Sequence, residues 1–117
     1  LCDAKNIGVL AGGTFNSGIL ASGPRPGSKY NYADAPAPVR ERVARLGEVC
    51  RAHGVPLAAA AIQFPLGHPQ VSSIVIGAVS PQEIRQNFEL MAHPIPGALW
   101  SDLRGEGLLR ADAPVPA

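Results

Sequence analysis

The sequence predicts an α/β fold in which short apolar strands alternate with helices. Residues 7–11 and 71–77 are apolar runs that lead into glycine, and such runs are typical of parallel strands buried on both faces. Helical patterns lie between and after them, an order that favours β/α units with right-handed crossovers. We therefore expect two neighbouring parallel strands with helices packed against the sheet.

Composition narrows the possible classes of protein. The chain has 117 residues, 46% of them hydrophobic, which allows one compact unit. Ten basic residues against nine acidic ones give no excess charge for binding nucleic acid or an anionic membrane. No apolar run approaches the roughly 20 residues that a bilayer requires. The two cysteines, Cys2 and Cys50, suggest neither a disulfide framework nor a metal site. We expect a soluble, cytoplasmic protein.

The segment between the two predicted strands contains a long loop and two helices. Residues 23–38 include four prolines and no periodicity, which predicts an irregular loop. Residues 39–53 follow with apolar residues three and four apart, and Gly54 provides a helix stop. A second helix is predicted over 57–64, and Pro65 should end or kink it.

The second predicted strand leads into a helix start. Ser80-Pro81-Gln82-Glu83 has the capping-box pattern, in which serine and glutamate side chains bond backbone amides of the first turn. Ile84, Phe88 and Met91 then form an apolar stripe that should face the sheet, and the helix should stop before His93. A short helix around Leu99, Trp100 and Leu103 and an extended tail from Arg110 complete the chain.

Two segments are candidate ligand sites on local pattern. The amides at a helix N-terminus after Ser80 favour an anion, although a plain helix cap explains the same residues. The glycine-rich turn 12–18 follows a strand, but it lacks the G-x-G-x-x-G pattern. Ile19 also stands where a phosphate-binding loop has lysine, which argues against a nucleotide hydrolase.

Other functional readings are weaker. His53, His68 and His93 are scattered, so we expect structural roles for them and no metal site. Four arginines, at 40, 42, 45 and 51, lie in the predicted helix pair 39–53 and 57–64. Without net positive charge, this pair is a poor candidate for binding nucleic acid.

Three segments carry a family resemblance that runs over nearly the whole chain. They are GVLAGGTFNSGIL at 8–20, LAAAAIQFPLGHPQVSSIVIGAVSPQEIRQNFE at 57–89, and IPGALWSDLRGEGLL at 95–109. With these, the chain resembles the aldo-keto reductase family, most closely its branch of D-threo-aldose 1-dehydrogenases, also called L-fucose dehydrogenases. The resemblance implies the C-terminal part of a TIM (β/α)8 barrel, about strands seven and eight with their helices. Residues 1–117 are then expected to be one fragment of a single barrel domain, truncated upstream of Leu1, with the N-terminal part of the barrel as a partner.

The resemblance also implies a nicotinamide dinucleotide site. The residues expected along the pyrophosphate are Gly13, Thr14, Phe15, Asn16, Ser17 and Gly18. Those expected to face the adenosine ribose are Gly77, Ala78, Val79 and Ser80. Glu83, Gln86 and Asn87 match positions that contact the 2′-phosphate or the adenine.

The expected cofactor is NAD in preference to NADP. The NADPH-preferring pattern has lysine, serine and arginine where this chain has Gly77, Ala78 and Glu83. A carboxylate at this point repels a 2′-phosphate but accepts from a ribose hydroxyl. The alternative is that Glu83 is fully occupied in the capping box and indifferent to the cofactor.

The implied activity is oxidation of an aldose at C1 to a lactone by hydride transfer to NAD(P). The family's catalytic tyrosine, aspartate, lysine and histidine belong to earlier strands, so this chain is expected to hold no catalytic residue. Tyr30 and Tyr32 lie in the loop 23–38. We expect them either over the cofactor or at the substrate entrance, or else in a role of packing within the loop. Trp100 and Leu103 either pack against the barrel or shape the substrate mouth. A non-catalytic barrel relative that binds cofactor or protein is the alternative function.

Overall fold

The computed structural model describes residues 1–117. Its strands are β1 (Val9–Gly12), β2 (Lys29–Tyr30), β3 (Ala33–Asp34) and β4 (Val71–Val75). Its helices are α1 (Ile19–Ser22), α2 (Ala37–Ala52), α3 (Leu57–Gln63), α4 (Pro81–Ala92) and α5 (Gly97–Gly105). Two short 3₁₀ turns lie at Asp3–Lys5 and Phe64–Gly67.

The central sheet is a parallel pair of strands, β1 and β4, as the sequence predicts. Leu10 lies opposite Ser73, and Gly12 lies opposite Val75. The crossover between the strands carries α2 and α3. Because the last residues of the two strands are partners, both strands end at the same edge of the sheet.

The expected burial of both strands on both faces is wrong. Leu10 is 69% exposed and Val75 is 56% exposed, and the register places them on one face of the sheet. On the opposite face, Ala11 and its partner Ile74 are partly buried by the helices. The sheet has only two strands and one covering layer, so one face has nothing packed on it.

The main hydrophobic core lies among the helices. Cys50 of α2, Ala59 of α3 and Leu99 of α5 are almost fully buried in one cluster. Trp100 and Leu103 belong to the same cluster, and the rings of Trp100 and Phe64 are 5.9 Å apart. Trp100 and Leu103 therefore act in packing, the first of the two roles considered for them.

Proline and glycine set the ends of the helices between β1 and β4. Pro38 lies in the first turn of α2, which begins two residues before the predicted start. Gly54 follows the helix with φ +67°, a conformation that glycine adopts without strain. Helix α3 ends at Gln63 and tightens into the 3₁₀ turn that contains Pro65, as predicted.

The C-terminal tail has no regular structure beyond Arg110, and it folds back on the chain. Backbone atoms of Val115 occupy the space where a Cβ of Gly67 would stand. Only glycine permits this approach. The guanidinium of Arg104 donates to the carbonyl of Ala113 at 2.6 Å, which also holds the tail in place.

The prediction of a wholly irregular loop over 23–38 is wrong in part. Strands β2 and β3 form a two-residue hairpin whose turn residues, Asn31 and Tyr32, have φ of 49° and 65°. An ion pair joins Lys29 to Asp34 across it, and the hydrogen bond and positive charge of Lys29 lower the pKa of Asp34. Helix α1, a single turn, is also absent from the sequence prediction. It lacks the periodic apolar pattern that a longer helix shows.

The thiol of Cys50 should be inert in the folded protein. Its residue is 1% exposed, and burial raises the thiol pKa because the thiolate loses its hydration. We expect alkylation of Cys50 by iodoacetamide to be at least about tenfold slower in buffer than in denaturing urea. Peptide mass spectrometry measures both rates, and equal rates would place Cys50 outside the core.

Candidate functional site

Two loops leave the sheet at the same edge and form the candidate site. Residues 13–18 connect β1 to α1, and residues 76–80 connect β4 to α4. Since Gly12 and Val75 are partners in the parallel ladder, the loops that follow them begin side by side. Ligands of α/β sheets bind outside the carboxyl ends of the strands, where these loops lie.

The 13–18 loop is a compact turn with free backbone donors. The amide of Asn16 donates to the carbonyl of Gly13 at 2.9 Å, and that of Gly18 donates to Phe15 at 3.1 Å. The amides of Thr14 and Ser17 have no acceptor within the chain. Beyond Gly13 the position of a Cβ is open space. A ligand can therefore approach the backbone closely and accept from its amides.

A buried hydroxyl without a partner lies in the same loop. Oγ1 of Thr14 is inaccessible to solvent and makes no hydrogen bond. A buried polar atom in this state costs free energy that a partner recovers. The open backbone at Gly13 and this unpaired hydroxyl both fit a loop that takes a polar ligand.

The second loop is fixed by the predicted capping box. Oγ of Ser80 accepts from the amide of Glu83 at 3.2 Å. The carboxylate of Glu83 reaches back and accepts from the amide of Val79 at 2.9 Å. In a capping box the expected donor is the amide of the N-cap residue, here Ser80, which is one residue later. The amides of Gly77 and Ala78 have no acceptor in the chain, and the space at Gly77 is open. Helix α4 thus presents its N-terminus, with free donors before it, to the shared edge.

The three candidate residues on α4 do not lie together. Glu83 is half-buried and occupied in the cap, and Gln86 is exposed. Asn87 is half-buried and lines a different surface, an apolar groove between β4, α3 and α4. The structure therefore separates Gln86 from Asn87, although they are neighbours in sequence.

The apolar stripe of α4 borders this groove beside the sheet. Ile84 and Phe88 line it together with Ile74 and Ile76, as the predicted orientation requires. Ile84 is nevertheless 50% exposed and Phe88 74% exposed. The groove is open because no further element packs over it.

The side chains of Asn16 and Ser17 link the first loop to the hairpin of β2 and β3, a role that the sequence did not predict for them. Oδ1 of Asn16 accepts from the amide of Asn31 at 2.9 Å, and Oγ of Ser17 accepts from the amide of Tyr32 at 2.8 Å. The hairpin of β2 and β3 is thereby tied to the loop. The donors are backbone amides, which leave no pattern in the sequence. The only possible sequence signal for this link is the presence of hydrogen-bonding side chains at Asn16 and Ser17.

Three of the four arginines of α2 are bound within the chain. Arg42 donates to the carbonyl of Leu108 at 2.7 Å, and Arg45 forms an ion pair with Glu106 at 2.9 Å. Arg40 donates to the carbonyl of Ala35. A nucleic-acid interface needs its guanidinium groups free for phosphates, so this arrangement gives no support to one.

Two of the three histidine side chains also have partners of their own. Nε2 of His53 lies 2.7 Å from a carboxylate oxygen of Asp102, and Nδ1 of His68 accepts from the amide of Gln70. No three metal-ligating side chains are grouped together. None of the helices has both the length and the apolar composition needed to cross a membrane.

Removing the serine cap should destabilise the protein measurably. Ser80→Ala leaves the amide of Glu83 without its acceptor, and the loss of such a cap costs about 1 kcal/mol. Urea unfolding of the full protein should show this decrease. Ser101→Ala is the control, because its hydroxyl is exposed and makes only a 3.5 Å contact. Equal stabilities of the two variants would contradict the capping role.

The chain is similar in sequence to known proteins. A family model described as "Aldo/keto reductase family" matches residues 1–105. The chain is 50% identical over 110 residues to pyridoxal 4-dehydrogenase of Microbacterium luteolum, covering 93% of this chain and 32% of that protein. It is 43% identical over 103 residues to D-threo-aldose 1-dehydrogenase of a Pseudomonas species, covering 87% and 31%. The chain thus spans about a third of the length of these relatives.

Proposed function

The chain belongs to the aldo/keto reductase family, and we propose that it forms the dinucleotide-binding part of an NAD(P)-dependent oxidoreductase. One observation carries the proposal: two loops with unpaired backbone amides leave adjacent parallel strands at one edge. Amides and a helix N-terminus suit the negative charge of a pyrophosphate. When bound, the cofactor accepts the hydride.

We assign residues 13–18 to the pyrophosphate and residues 77–80 to the adenosine ribose. The free amides of Thr14 and Ser17, with the open space at Gly13, support the first assignment. The free amides of Gly77 and Ala78 support the second. The structure gives no common cofactor surface for Glu83, Gln86 and Asn87, since Asn87 lies in the apolar groove. We propose that Glu83 acts on the cofactor through its charge.

For the fold, we propose that residues 1–117 supply strands seven and eight of a single TIM barrel domain. The uncovered sheet face with Leu10 and Val75 supports this placement. In a barrel that face is the interior, where side chains from the other strands pack in layers. The proposed partner is therefore the N-terminal part of the barrel, and it would bring the family's catalytic side chains.

The proposed reaction is oxidation of an aldose at C1 to a lactone. Bound NAD(P) would supply the acceptor for the hydride of C1, and the proton of the anomeric hydroxyl would pass to a base. This chain's residues bind and orient the cofactor. The relative named D-threo-aldose 1-dehydrogenase supports this substrate class.

Oxidation of pyridoxal is the second candidate, because the relative named pyridoxal 4-dehydrogenase has the higher identity, 50% against 43%. Initial rates of the full protein with D-threo-aldoses and with pyridoxal decide between them. The aldose proposal expects the higher kcat/KM with the sugars. No turnover of either, with dinucleotide still bound, favours a non-catalytic barrel relative.

We propose NAD as the preferred cofactor and the cytoplasm as the location. The hydrogen bond from the amide of Val79 does not remove the negative charge of Glu83. Glu83 can therefore cap the helix and repel a 2′-phosphate at the same time. The two free cysteines agree with a reducing compartment.

Two substitutions at Glu83 test the cofactor preference. Glu83→Gln keeps an oxygen for the amide of Val79 but removes the charge, so it separates the cap from the electrostatic effect. We expect the ratio of NADP to NAD affinity to rise roughly fivefold with Glu83→Gln and further with Glu83→Arg. Fluorescence titration of the full protein measures both affinities. An unchanged ratio in both variants would mean that Glu83 is only a cap.

A further inference from the structure

The hairpin of β2 and β3 is attached to the 13–18 loop by two hydrogen bonds. Both run from hairpin amides to loop side chains: Asn31 to Asn16 at 2.9 Å and Tyr32 to Ser17 at 2.8 Å. The partners are 15 residues apart in sequence. The hairpin therefore acts on the loop as a separate piece of structure.

All four residues at this junction have left-handed backbones. The φ angles are 45° at Asn16, 61° at Ser17, 49° at Asn31 and 65° at Tyr32. Left-handed residues other than glycine are uncommon, and surrounding contacts must hold them in place. The two hydrogen bonds add to the local contacts, which are the bond from the Asn16 amide to Gly13 and the pairing of β2 with β3, so loop and hairpin support each other in these conformations.

The hairpin itself is anchored on the body of the chain. Tyr30 packs against the small cluster formed by Ile19, Ala35 and Val43, which joins α1 and α2. The ion pair between Lys29 and Asp34 closes the hairpin on its outer side. A structure fixed in this way can transmit the rigidity of α2 to the loop.

We propose that Asn16 and Ser17 are positioning residues whose side chains fix the dinucleotide loop by binding the hairpin. The inference rests on the proposed cofactor site. It assigns the side-chain acceptors to the hairpin and leaves the loop's free amides, at Thr14 and Ser17, for the ligand. The hairpin over residues 29–34 becomes a determinant of cofactor affinity.

Glycine substitutions test this role without adding backbone strain. Asn16→Gly and Ser17→Gly remove the acceptors but tolerate positive φ. In the full protein, each should raise the dissociation constants of NAD and NADP by the same factor, about three- to tenfold, because the loop loses its order. Asn6→Gly, a matched asparagine at φ 51° outside the site, should change neither.

A coupling experiment separates positioning from direct contact. Replacing residues 29–34 by six glycine and serine residues removes the hairpin while leaving the loop sequence intact. If Asn16 acts through the hairpin, Asn16→Gly should cause no further loss of affinity in this background. Additive losses would overturn the proposal, because they would mean that Asn16 contacts the cofactor itself.

Hydrogen exchange in the absence of cofactor tests the positioning role independently of the proposed function. The amides of Asn31 and Tyr32 should be protected, and should lose protection in Asn16→Gly and Ser17→Gly respectively. Unprotected amides in the parent protein overturn the positioning role even if NAD binds well. Protected amides in a protein that binds no dinucleotide would instead refute the proposed function.

Discussion

The parallel pairing of β1 with β4 determines where both loops of the candidate site begin. It sets Gly12 opposite Val75, so two loops far apart in sequence begin side by side. One loop supplies free amides and an unpaired hydroxyl, and the other supplies the N-terminus of α4. With a different register the two loops would not begin side by side and would not form a common site. Each loop alone has only a few free donors.

Packing on the two sides of the sheet is unequal, and this explains how the site is supported. Helices α2, α3 and α5 share a core around Cys50, Leu99 and Trp100, which gives the crossover a rigid body. The opposite face, with Leu10 and Val75, is uncovered. Exposed apolar faces of this kind favour association with further structure, as the proposed barrel requires.

Much of the fold could be predicted from the sequence because local chemistry is strong where elements begin and end. The capping box at Ser80, the stop at Gly54 and the break at Pro65 all appear where their residues indicate. The family resemblance is confirmed by the match over residues 1–105. Other features were missed for physical reasons. The hairpin turn uses Asn31 and Tyr32 instead of a glycine, and burial of a strand depends on neighbours that its own residues do not specify.

We propose that the edge shared by β1 and β4 binds a nicotinamide dinucleotide. A crystal structure of the full protein with NAD tests it most directly. We expect pyrophosphate oxygens within hydrogen-bond distance of amides in 13–18, and the adenosine against 77–80 and the first turns of α4. A dinucleotide bound at any other edge or face, with these amides still unpaired, would contradict it.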